Sequence, residues 1–504
     1  MNPQIDRIQT SLILLALAFF APTLVSGPLD APVERIIERA DLGNASVAVH
    51  AIDLRSGAEL ISYRANADMI PASNMKLITS GAALAVLGTD FQFRTEIKID
   101  ESAAPPNIVF VGSGDPALGD PVLLEREGVG MTLPLLFDRI ATLMDDSGHA
   151  EFGELIVDDR VFDRELVHPS WPIDQLNRWY CAEVGGMNLR RNVVTVYAEP
   201  TSQNGSPRTR MLPDAPWISL GNRGRTDKKG NNTAWVSRPQ PSDSMTLLGK
   251  VRSRVEIDVS IHNPPLFAGR VLATEFHRRG VSFTSEQPYE AARLVTQGEQ
   301  ISEDARTIAV VTTPIADILN RVNQDSHNLY AECVFKRLGN SVSGEPGSWI
   351  NGASVTRMVI SDALGPDYAQ ATTVADGSGM SRDNRVRPSM LTAWMRWISK
   401  EDERWNVFKS SLASPGVGTL RTRFRGDDEL NSELHAKSGY LSGVYSLSGV
   451  MTHPSTGREI AFSILLNDVP RGRQARNAKP LHAAILKEID AYLVPEATPA
   501  NLGG

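Results

Sequence analysis

Residues 71–88 read PASNMKLITSGAALAVLG and combine a serine, a lysine and a helical pattern in one short stretch. Apolar side chains recur on a helical period from Asn74 to Leu87, which predicts a helix over these residues. Ser73 then lies on the first turn of this helix, and Lys76 lies on the same face because it follows three residues later. A serine acts as a nucleophile only with a base within hydrogen-bond distance, and this spacing makes Lys76 a candidate base.

Lys76 can act as a base only if its surroundings favour the neutral amine. Lys76 must be neutral at least transiently to accept a proton, and both burial and a second nearby cation would lower its pKa. A serine and a lysine on the exposed face of an ordinary helix would show the same spacing. The chemical interpretation therefore depends on two further segments of the chain.

The second segment, residues 326–328, reads SHN and precedes a helix predicted to begin near Leu329. In a loop at a cleft, Ser326 could pass a proton to a departing amine, while Asn328 could hold Lys76 and a substrate amide in place. The alternative is structural, because serine and asparagine are also favourable residues at a helix N-cap.

The third segment is Lys437-Ser438-Gly439, within a strand-like run. Lys437 offers a charge and Ser438 a hydrogen bond to a substrate carboxylate, and Gly439 lets the backbone approach closely. The amide of Tyr440, together with that of Ser73, could form an oxyanion hole. Lys437 would also be the second cation near the proposed base. The alternative is an ordinary turn between strands.

The two ends of the chain predict one sheet. Residues 46–63 predict a β-hairpin, and residues 434–450 and 460–467 alternate like adjacent antiparallel strands. Residues from about 90 to 300 contain short strand-like segments between loops rich in Gly, Pro and Asn, and we interpret them as an insertion. The predicted fold class is therefore α+β and multidomain. Further helices are predicted over 264–280, 315–322, 329–338, 389–398 and 480–493.

Composition excludes some classes of function. The chain has 504 residues, of which 41% are hydrophobic and 22% charged, which is typical of a globular protein of about three domains. Its net charge of −8 is spread without a basic domain, which argues against nucleic acid as a partner. The two cysteines, Cys181 and Cys333, are expected to be buried thiols rather than a disulfide. No cofactor or metal ion is predicted.

The N-terminus predicts export. Arg7 precedes an apolar run from Leu12 to Val25, followed by the small residues Ser26 and Gly27. This order is typical of a secretory signal, here residues 1–27, and predicts a periplasmic or otherwise extracytoplasmic protein. No stable membrane span is expected after removal of the signal, although an uncleaved signal could act as an anchor.

The ordered trio Ser-x-x-Lys, Ser-x-Asn and Lys-Ser-Gly resembles the signature of serine penicillin-recognising enzymes. Further stretches are similar to those of class C low-molecular-mass penicillin-binding proteins, which are D-alanyl-D-alanine carboxypeptidases and endopeptidases of the serine β-lactamase/DD-peptidase superfamily. These stretches are Gly114-Asp115-Pro116, Asn328-x-Tyr330-Ala331-Glu332, Asp376-Gly377-Ser378-Gly379, Gly418-Thr419-Leu420 with Arg423, and residues 443–449. Two departures, Ser438 in place of the more usual threonine and His327 at a variable position, are expected to alter rates and keep the mechanism.

This resemblance implies a DD-peptidase/β-lactamase-like domain, with an antiparallel sheet flanked by helices, over residues 28–93 and 301–504. It also implies an inserted domain II over 94–120 and 214–300, which carries a nested domain III over 121–213. The implied catalytic residues are Ser73, Lys76, Ser326 and Asn328, and the implied substrate-binding residues are Lys437, Ser438, Gly439 and Tyr440. The implied partners are peptidoglycan peptides and β-lactams, and a homodimer is left open.

Two alternative functions remain open at this point. A β-lactamase or esterase could use the same fold, although no dedicated deacylating base is evident in the sequence. A catalytically silent peptidoglycan-binding protein, in which the inserted domains carry the function, belongs to a different class. The sequence also leaves open the balance between carboxypeptidase and endopeptidase activity and the residue preferred at the third position of the stem peptide.

Overall fold

The computed structural model describes residues 27–126 and 130–494, so the predicted signal, apart from Gly27, lies outside the described residues. Within the two ranges, no helix has both the length and the apolar character that a membrane crossing requires. The strands are β1 (Ser46–Asp53), β2 (Glu59–Tyr63), β3 (Gln92–Asp100), β4 (Asn107–Val111), β5 (Leu155–Asp158), β6 (Val193–Glu199), β7 (Arg208–Leu212), β8 (Ser219–Asn222), β9 (Arg225–Thr226), β10 (Trp235–Ser237), β11 (Ser244–Leu248), β12 (Lys250–Val251), β13 (Val255–Ser260), β14 (Ala292–Leu294), β15 (Arg306–Pro314), β16 (Glu433–Leu441), β17 (Val444–Thr452) and β18 (Glu459–Asn467). The helices are α1 (Asp30–Arg39), α2 (Met75–Val86), α3 (Pro121–Leu124), α4 (Leu133–Asp145), α5 (Pro264–His277), α6 (Ile315–Asn323), α7 (Asn328–Ser343), α8 (Trp349–Leu364), α9 (Pro366–Ala371), α10 (Pro388–Ile398), α11 (Asp402–Ser410) and α12 (Arg473–Leu493).

The two ends of the chain meet in one antiparallel sheet with the strand order β16-β17-β18-β1-β2. Side chains alternate between the faces of a strand, so each face packs on a different set of helices. Ala48 and Leu465 lie in the core shared with α2, α7 and α10, whereas Val49 and Leu466 lie in the core shared with α1 and α12. The predicted sheet, built from an N-terminal hairpin and C-terminal strands with helices on its faces, is confirmed.

The inserted region forms separate sheets around a second core. Its largest sheet has the order β14-β5-β4-β3-β15. Strands β3 and β15 pair antiparallel where the chain leaves the catalytic region and returns to it, with Arg94 opposite Thr312. Smaller sheets, β13-β6-β7, β10-β11-β8 and β12-β9, lie within the same stretch of chain. The division into domains at the residues given above stays a prediction.

The last helix differs from its predicted bounds. It begins at Arg473, seven residues before Pro480, and the proline lies inside it. A proline is expected at a helix start because it lacks the N–H donor and costs about 3 kcal/mol in a helix interior. Here Ala478 and Leu481, on either side of it, are buried against the sheet in the core shared with α1, and this packing favours one continuous helix.

The two cysteines are free and buried, as predicted. Cys181 lies 3.6 Å from the Sδ of Met380, and Cys333 lies 3.5 Å from the Nδ2 of Asn188. Burial raises the pKa of the Cys181 thiol to about 12. Both thiols therefore remain protonated and pack as small apolar groups.

Candidate active site

Ser73 lies where the sequence places it, on a tight turn that leads into α2. The turn, Ala72–Asn74, is a 3₁₀ helix, and Ala72 adopts a left-handed backbone conformation with φ of 48°. Side-chain hydrogen bonds tie this turn to the C-terminal strands. Asn74 Nδ2 donates to the carbonyl of Lys437 at 2.8 Å, and Ser446 Oγ donates to the carbonyl of Pro71 at 2.7 Å. The first and third sequence segments are therefore held side by side.

Lys76 contacts both the proposed nucleophile and the second segment. Its Nζ donates to Ser73 Oγ at 3.1 Å, to Asn328 Oδ1 at 2.7 Å and to the carbonyl of Ser378 at 2.6 Å. The side chain is completely buried. The three acceptors use all three donors of an ammonium group, so the amine is fixed beside the serine hydroxyl.

The surroundings of Lys76 favour its neutral form. Burial lowers the pKa of Lys76 to about 7, and the nearby carboxylates Glu332 and Asp376 oppose this shift. A substantial fraction of the amine is therefore neutral near pH 7, as a base toward Ser73 requires.

The second and third segments also meet. Lys437 Nζ donates to Ser326 Oγ at 2.8 Å and to the carbonyl of Ser438 at 2.8 Å. Ser326 has a left-handed φ of 59°, which turns the chain just before α7. Burial and the charge of Lys76 hold the pKa of Lys437 well below its ordinary value. Two cations in one buried site disfavour each other, so the charge of Lys76 favours the neutral form of Lys437.

The helix-capping interpretation of the second segment is wrong. Asn328 is the first residue of α7, and the capping residue His327 makes no side-chain cap hydrogen bond. The Asn328 amide instead bridges two parts of the site: its Oδ1 accepts from Lys76, and its Nδ2 donates to the carbonyl of Tyr180 at 2.8 Å. The side chains of Ser326 and Asn328 thus contact the two lysines of the site.

The backbone near Gly439 lies close to the backbone of Ser73. A Cβ added at Gly439 would lie 2.8 Å from the Ser73 amide nitrogen and 2.2 Å from Ser446 Oγ. Strand β16 is at the edge of its sheet, and the Ala436 N–H points away from β17 to a loop carbonyl at 2.8 Å. Because the hydrogen-bonding direction alternates along a strand, the Tyr440 N–H, four residues on, points to this same open edge. The Tyr440 N–H therefore faces the edge of the sheet beside which the Ser73 backbone lies.

Two adjoining cavities open on the site, and Ser73, Ser326 and Tyr440 line both. The first has a volume of about 670 Å³ and the second about 710 Å³. The first is lined further by Asn328, by residues from the inserted region and by the loops that follow Gly379 and Tyr440. The lining residues from the inserted region are Ser170, Pro172, Gln175, Trp179 and Tyr180.

A buried acidic pair that sequence reasoning had given no role holds the loop behind Lys76. Glu332 accepts the N–H groups of Gly377 at 3.0 Å and Ser378 at 2.8 Å, which orients the Ser378 carbonyl that binds the lysine. Asp376 accepts the Gly379 N–H at 2.8 Å. Burial and Asp376 raise the pKa of Glu332 to about 7. The available signal was the Asp-Gly-Ser-Gly stretch, which entered only through the family resemblance.

Gly379→Ala is expected to displace the nucleophile turn. A Cβ at Gly379 would lie 1.8 Å from the carbonyl oxygen of Ala72, next to Ser73. Gly344→Ala is a matched control, since Gly344 has a similar φ of 73°, against 81° at Gly379, and nothing lies within 4 Å of its added Cβ. The left-handed backbone costs both variants about 1–2 kcal/mol, and overpacking adds about 1–3 kcal/mol at Gly379 alone.

Denaturant unfolding measures the stability difference between these two variants. The family resemblance implies that penicillins acylate Ser73, and the rate of that reaction measures the displacement of Ser73. Acylation should fall strongly in Gly379→Ala and stay near the wild-type rate in Gly344→Ala. Equal stability and equal acylation in the two variants would contradict the close approach of Gly379 to Ala72.

The fold is shared with known structures. The crystal structure of penicillin binding protein 4 (dacB) from Haemophilus influenzae superposes with a TM-score of 0.74 at 19% identity, covering 92% of this chain and 99% of that chain. The same protein complexed with a novel β-lactam gives a TM-score of 0.70 at 18% identity, again covering 92% and 99% of the two chains. These likenesses confirm the predicted fold class, α+β with a DD-peptidase/β-lactamase-like region and a large insertion.

Sequence comparison extends over most of the chain. The D-alanyl-D-alanine carboxypeptidase of Actinomadura sp. (strain R39) is 28% identical over 459 residues, which cover 86% of this chain and 80% of that protein. The D-alanyl-D-alanine carboxypeptidase DacB of Haemophilus influenzae is 22% identical over 488 residues, which cover 93% and 94% of the two chains. The model of the D-Ala-D-Ala carboxypeptidase 3 (S13) family matches residues 29–487. The family resemblance predicted from the three segments is therefore confirmed, and the chain belongs to the D-Ala-D-Ala carboxypeptidase 3 (S13) family.

Proposed function

We propose that this protein is a serine D-alanyl-D-alanine carboxypeptidase and endopeptidase that acts on peptidoglycan stem peptides outside the cytoplasm and is acylated by penicillins. The observation that carries the proposal is the buried amine of Lys76, 3.1 Å from Ser73 Oγ, beside Asn328 and the Ser326–Lys437 pair. The names of its relatives support the substrate class. The apolar N-terminal run of the sequence supports export.

Acylation begins with a proton transfer. Lys76 in its neutral form accepts the hydroxyl proton of Ser73 as Oγ bonds to the carbonyl carbon of the penultimate D-alanine. The amides of Ser73 and Tyr440 stabilise the negative charge that develops on the carbonyl oxygen. Ser326 passes its hydroxyl proton to the leaving nitrogen and takes a proton from the Lys437 ammonium, which donates to its Oγ at 2.8 Å. The C–N bond breaks, and the terminal residue departs as an amine. Water then hydrolyses the ester: its OH bonds to the carbonyl carbon, its other proton returns to Ser73 Oγ, and the proton held by Lys76 returns to Lys437.

Lys437 and Ser438 bind the carboxylate of the terminal residue in this scheme, and Asn328 orients the peptide. A carboxylate that enters the site favours the charged form of Lys437, because an opposite charge raises the pKa of an ammonium group. The same carboxylate screens Lys76 from Lys437. Substrate binding would thus leave one amine charged for recognition and the other neutral for proton transfer.

Product analysis tests this function against its alternatives. We expect the purified protein to release D-alanine from a stem pentapeptide and to split cross-linked muropeptide dimers, as resolved by chromatography and mass spectrometry. With nitrocefin we expect one rapid equivalent of product per enzyme and slow turnover afterwards. Steady nitrocefin hydrolysis without D-alanine release would support a β-lactamase. Muropeptide binding without any product would support the silent binding protein.

A further inference from the structure

The second cavity differs in charge from the first. We call it the cationic cavity, because three of its lining residues are Arg423, Arg476 and Lys479 and none is an aspartate or glutamate. The first cavity is lined by Asp325 and Asp383 as well as one cation, Arg382. A ligand that spans both cavities would therefore meet a positive potential on one side only.

The three cations of the cationic cavity form no ion pair with a carboxylate within residues 27–126 and 130–494; the charge of Asp428 acts on Arg423 from beyond ion-pair distance. Arg423 Nη2 lies 3.4 Å from the Nδ1 of His482, and its guanidinium lies 4.8 Å from the ring centroid of Phe424. By contrast, Arg473 at the start of the same helix forms an ion pair with Asp41. Burial lowers the pKa of Arg423 to about 10, so the guanidinium stays charged at neutral pH.

Two neutral side chains that line this cavity each have a buried polar atom without a partner within the described part of the chain. His482 is 2% exposed, and its Nε2 has no hydrogen-bond partner there. Burial, Arg423 and Lys479 hold the pKa of His482 well below its ordinary value, so the ring is neutral. The hydroxyl of Thr419, which also lines this cavity, is likewise buried without a partner there. Buried polar groups normally have partners, so these indicate a site that accepts a polar ligand.

The residues that line the cationic cavity indicate on which side of Ser73 it lies. Ser438 and Gly439 line it and do not line the first cavity. On the proposed function, Ser438 binds the carboxylate of the leaving residue, so this cavity lies on the leaving-group side of Ser73. A single D-alanine would occupy little of a space of about 710 Å³, since cavities of about 300–1,000 Å³ hold drug-sized ligands.

We infer that the cationic cavity is a subsite for the acceptor arm of a cross-linked stem peptide, and that Arg423 and Lys479 bind a second carboxylate on that arm. This inference rests on the proposed function and specifies which leaving group the proposed peptidase prefers. The acceptor arm carries carboxylates beyond the one next to the scissile bond, whereas D-alanine carries none. The cavity would thus favour cleavage of cross-links over removal of a terminal D-alanine.

A pair of substrates that differ in one charge tests the inference. Both have the form acyl-D-alanyl-X: in one, X is D-2-aminopimelate with a free side-chain carboxylate, and in the other this carboxylate is an amide. We expect the wild-type enzyme to cleave the acid with a kcat/KM about tenfold above that of the amide, because a hydrogen bond between two charged groups is stronger than one to a neutral amide. The ratio should fall toward one in Lys479→Ala and in Arg423→Gln.

Arg473→Ala is the matched control, since it removes a cation from the same helix outside the cavity, and it should keep the wild-type ratio. Arg423 is partly buried, so acylation of each variant by penicillin reports whether its site is still assembled. Lys479 is exposed, and its variant keeps the inference testable if Arg423→Gln does not fold. An acid-to-amide ratio near one in the wild type, or an unchanged ratio in Lys479→Ala and in a folded Arg423→Gln, overturns the inference. Failure of the wild type to cleave either substrate or any D-alanyl-D-alanine peptide would overturn the proposed function instead.

Discussion

Ser73→Ala is expected to abolish the covalent adduct that a penicillin forms with the wild-type protein, as measured by the mass of the intact protein. On the proposed function, the ester bond of this adduct is made through Ser73 Oγ, which lies 3.1 Å from the buried amine of Lys76. The turn that carries Ser73 is held by Asn74 and Ser446, so the alanine variant should fold. Release of D-alanine should be lost with the adduct.

Ser170 provides the control, because it also lines the first cavity and has a possible base beside it. Its Oγ lies 2.9 Å from His168 Nδ1, and that nitrogen also accepts the Ser170 N–H at 3.2 Å. The hydroxyl donates to Ser381 Oγ at 2.7 Å, so its proton is directed away from the imidazole. Ser170→Ala should therefore still form the penicillin adduct. An adduct that persists on Ser73→Ala and disappears from Ser170→Ala would reverse the assignment of the nucleophile.

The spacing of residues along the chain was enough to predict contacts within the site between residues that are close in the sequence. The pairing of Ser73 with Lys76 follows from helical spacing, and the close backbone approach at Gly439 follows from a glycine in a strand. Sequence order then suggested that the three segments meet. Their meeting depends on the sheet, in which strands from both ends of the chain are neighbours.

Contacts made by tertiary packing could not be read from spacing. The carbonyl of Ser378 accepts from Lys76, and the carbonyl of Tyr180 accepts from Asn328. Every residue has a backbone carbonyl, so the sequence does not indicate which carbonyl groups make such contacts. Two cations of the cationic cavity were missed for a related reason, whereas Arg423 was quoted through the family resemblance. Arg476 and Lys479 precede Pro480, where the helix was predicted to begin, so their helical positions could not be assigned. Packing of α12 on the sheet overrode the local preference of the proline.

Lys76→Met is expected to lower the rate of penicillin acylation by about 10²–10⁴-fold, the usual contribution of general base catalysis. The substitution also leaves Asn328 Oδ1 and the Ser378 carbonyl without their donor, which should cost stability. Lys336→Met is a suitable control, since Lys336 is equally buried but binds Asp163 and the carbonyl of Glu165 instead. It should lose stability and retain acylation, as followed by denaturant unfolding and by stopped-flow kinetics.

The pH dependence of the acylation rate shows whether Lys76 acts as a base or as a fixed cation. Because burial lowers the pKa of Lys76 to about 7, its neutral fraction should rise from about a tenth at pH 6 to about nine tenths at pH 8. Wild-type acylation should rise over the same interval, and the slow residual reaction of Lys76→Met should lack this step. Lys76→Arg keeps the charge but cannot lose its proton, so it should be as slow as Lys76→Met. Rapid acylation by Lys76→Arg would show that Lys76 acts as a cation, and the proton of Ser73 would then need another acceptor.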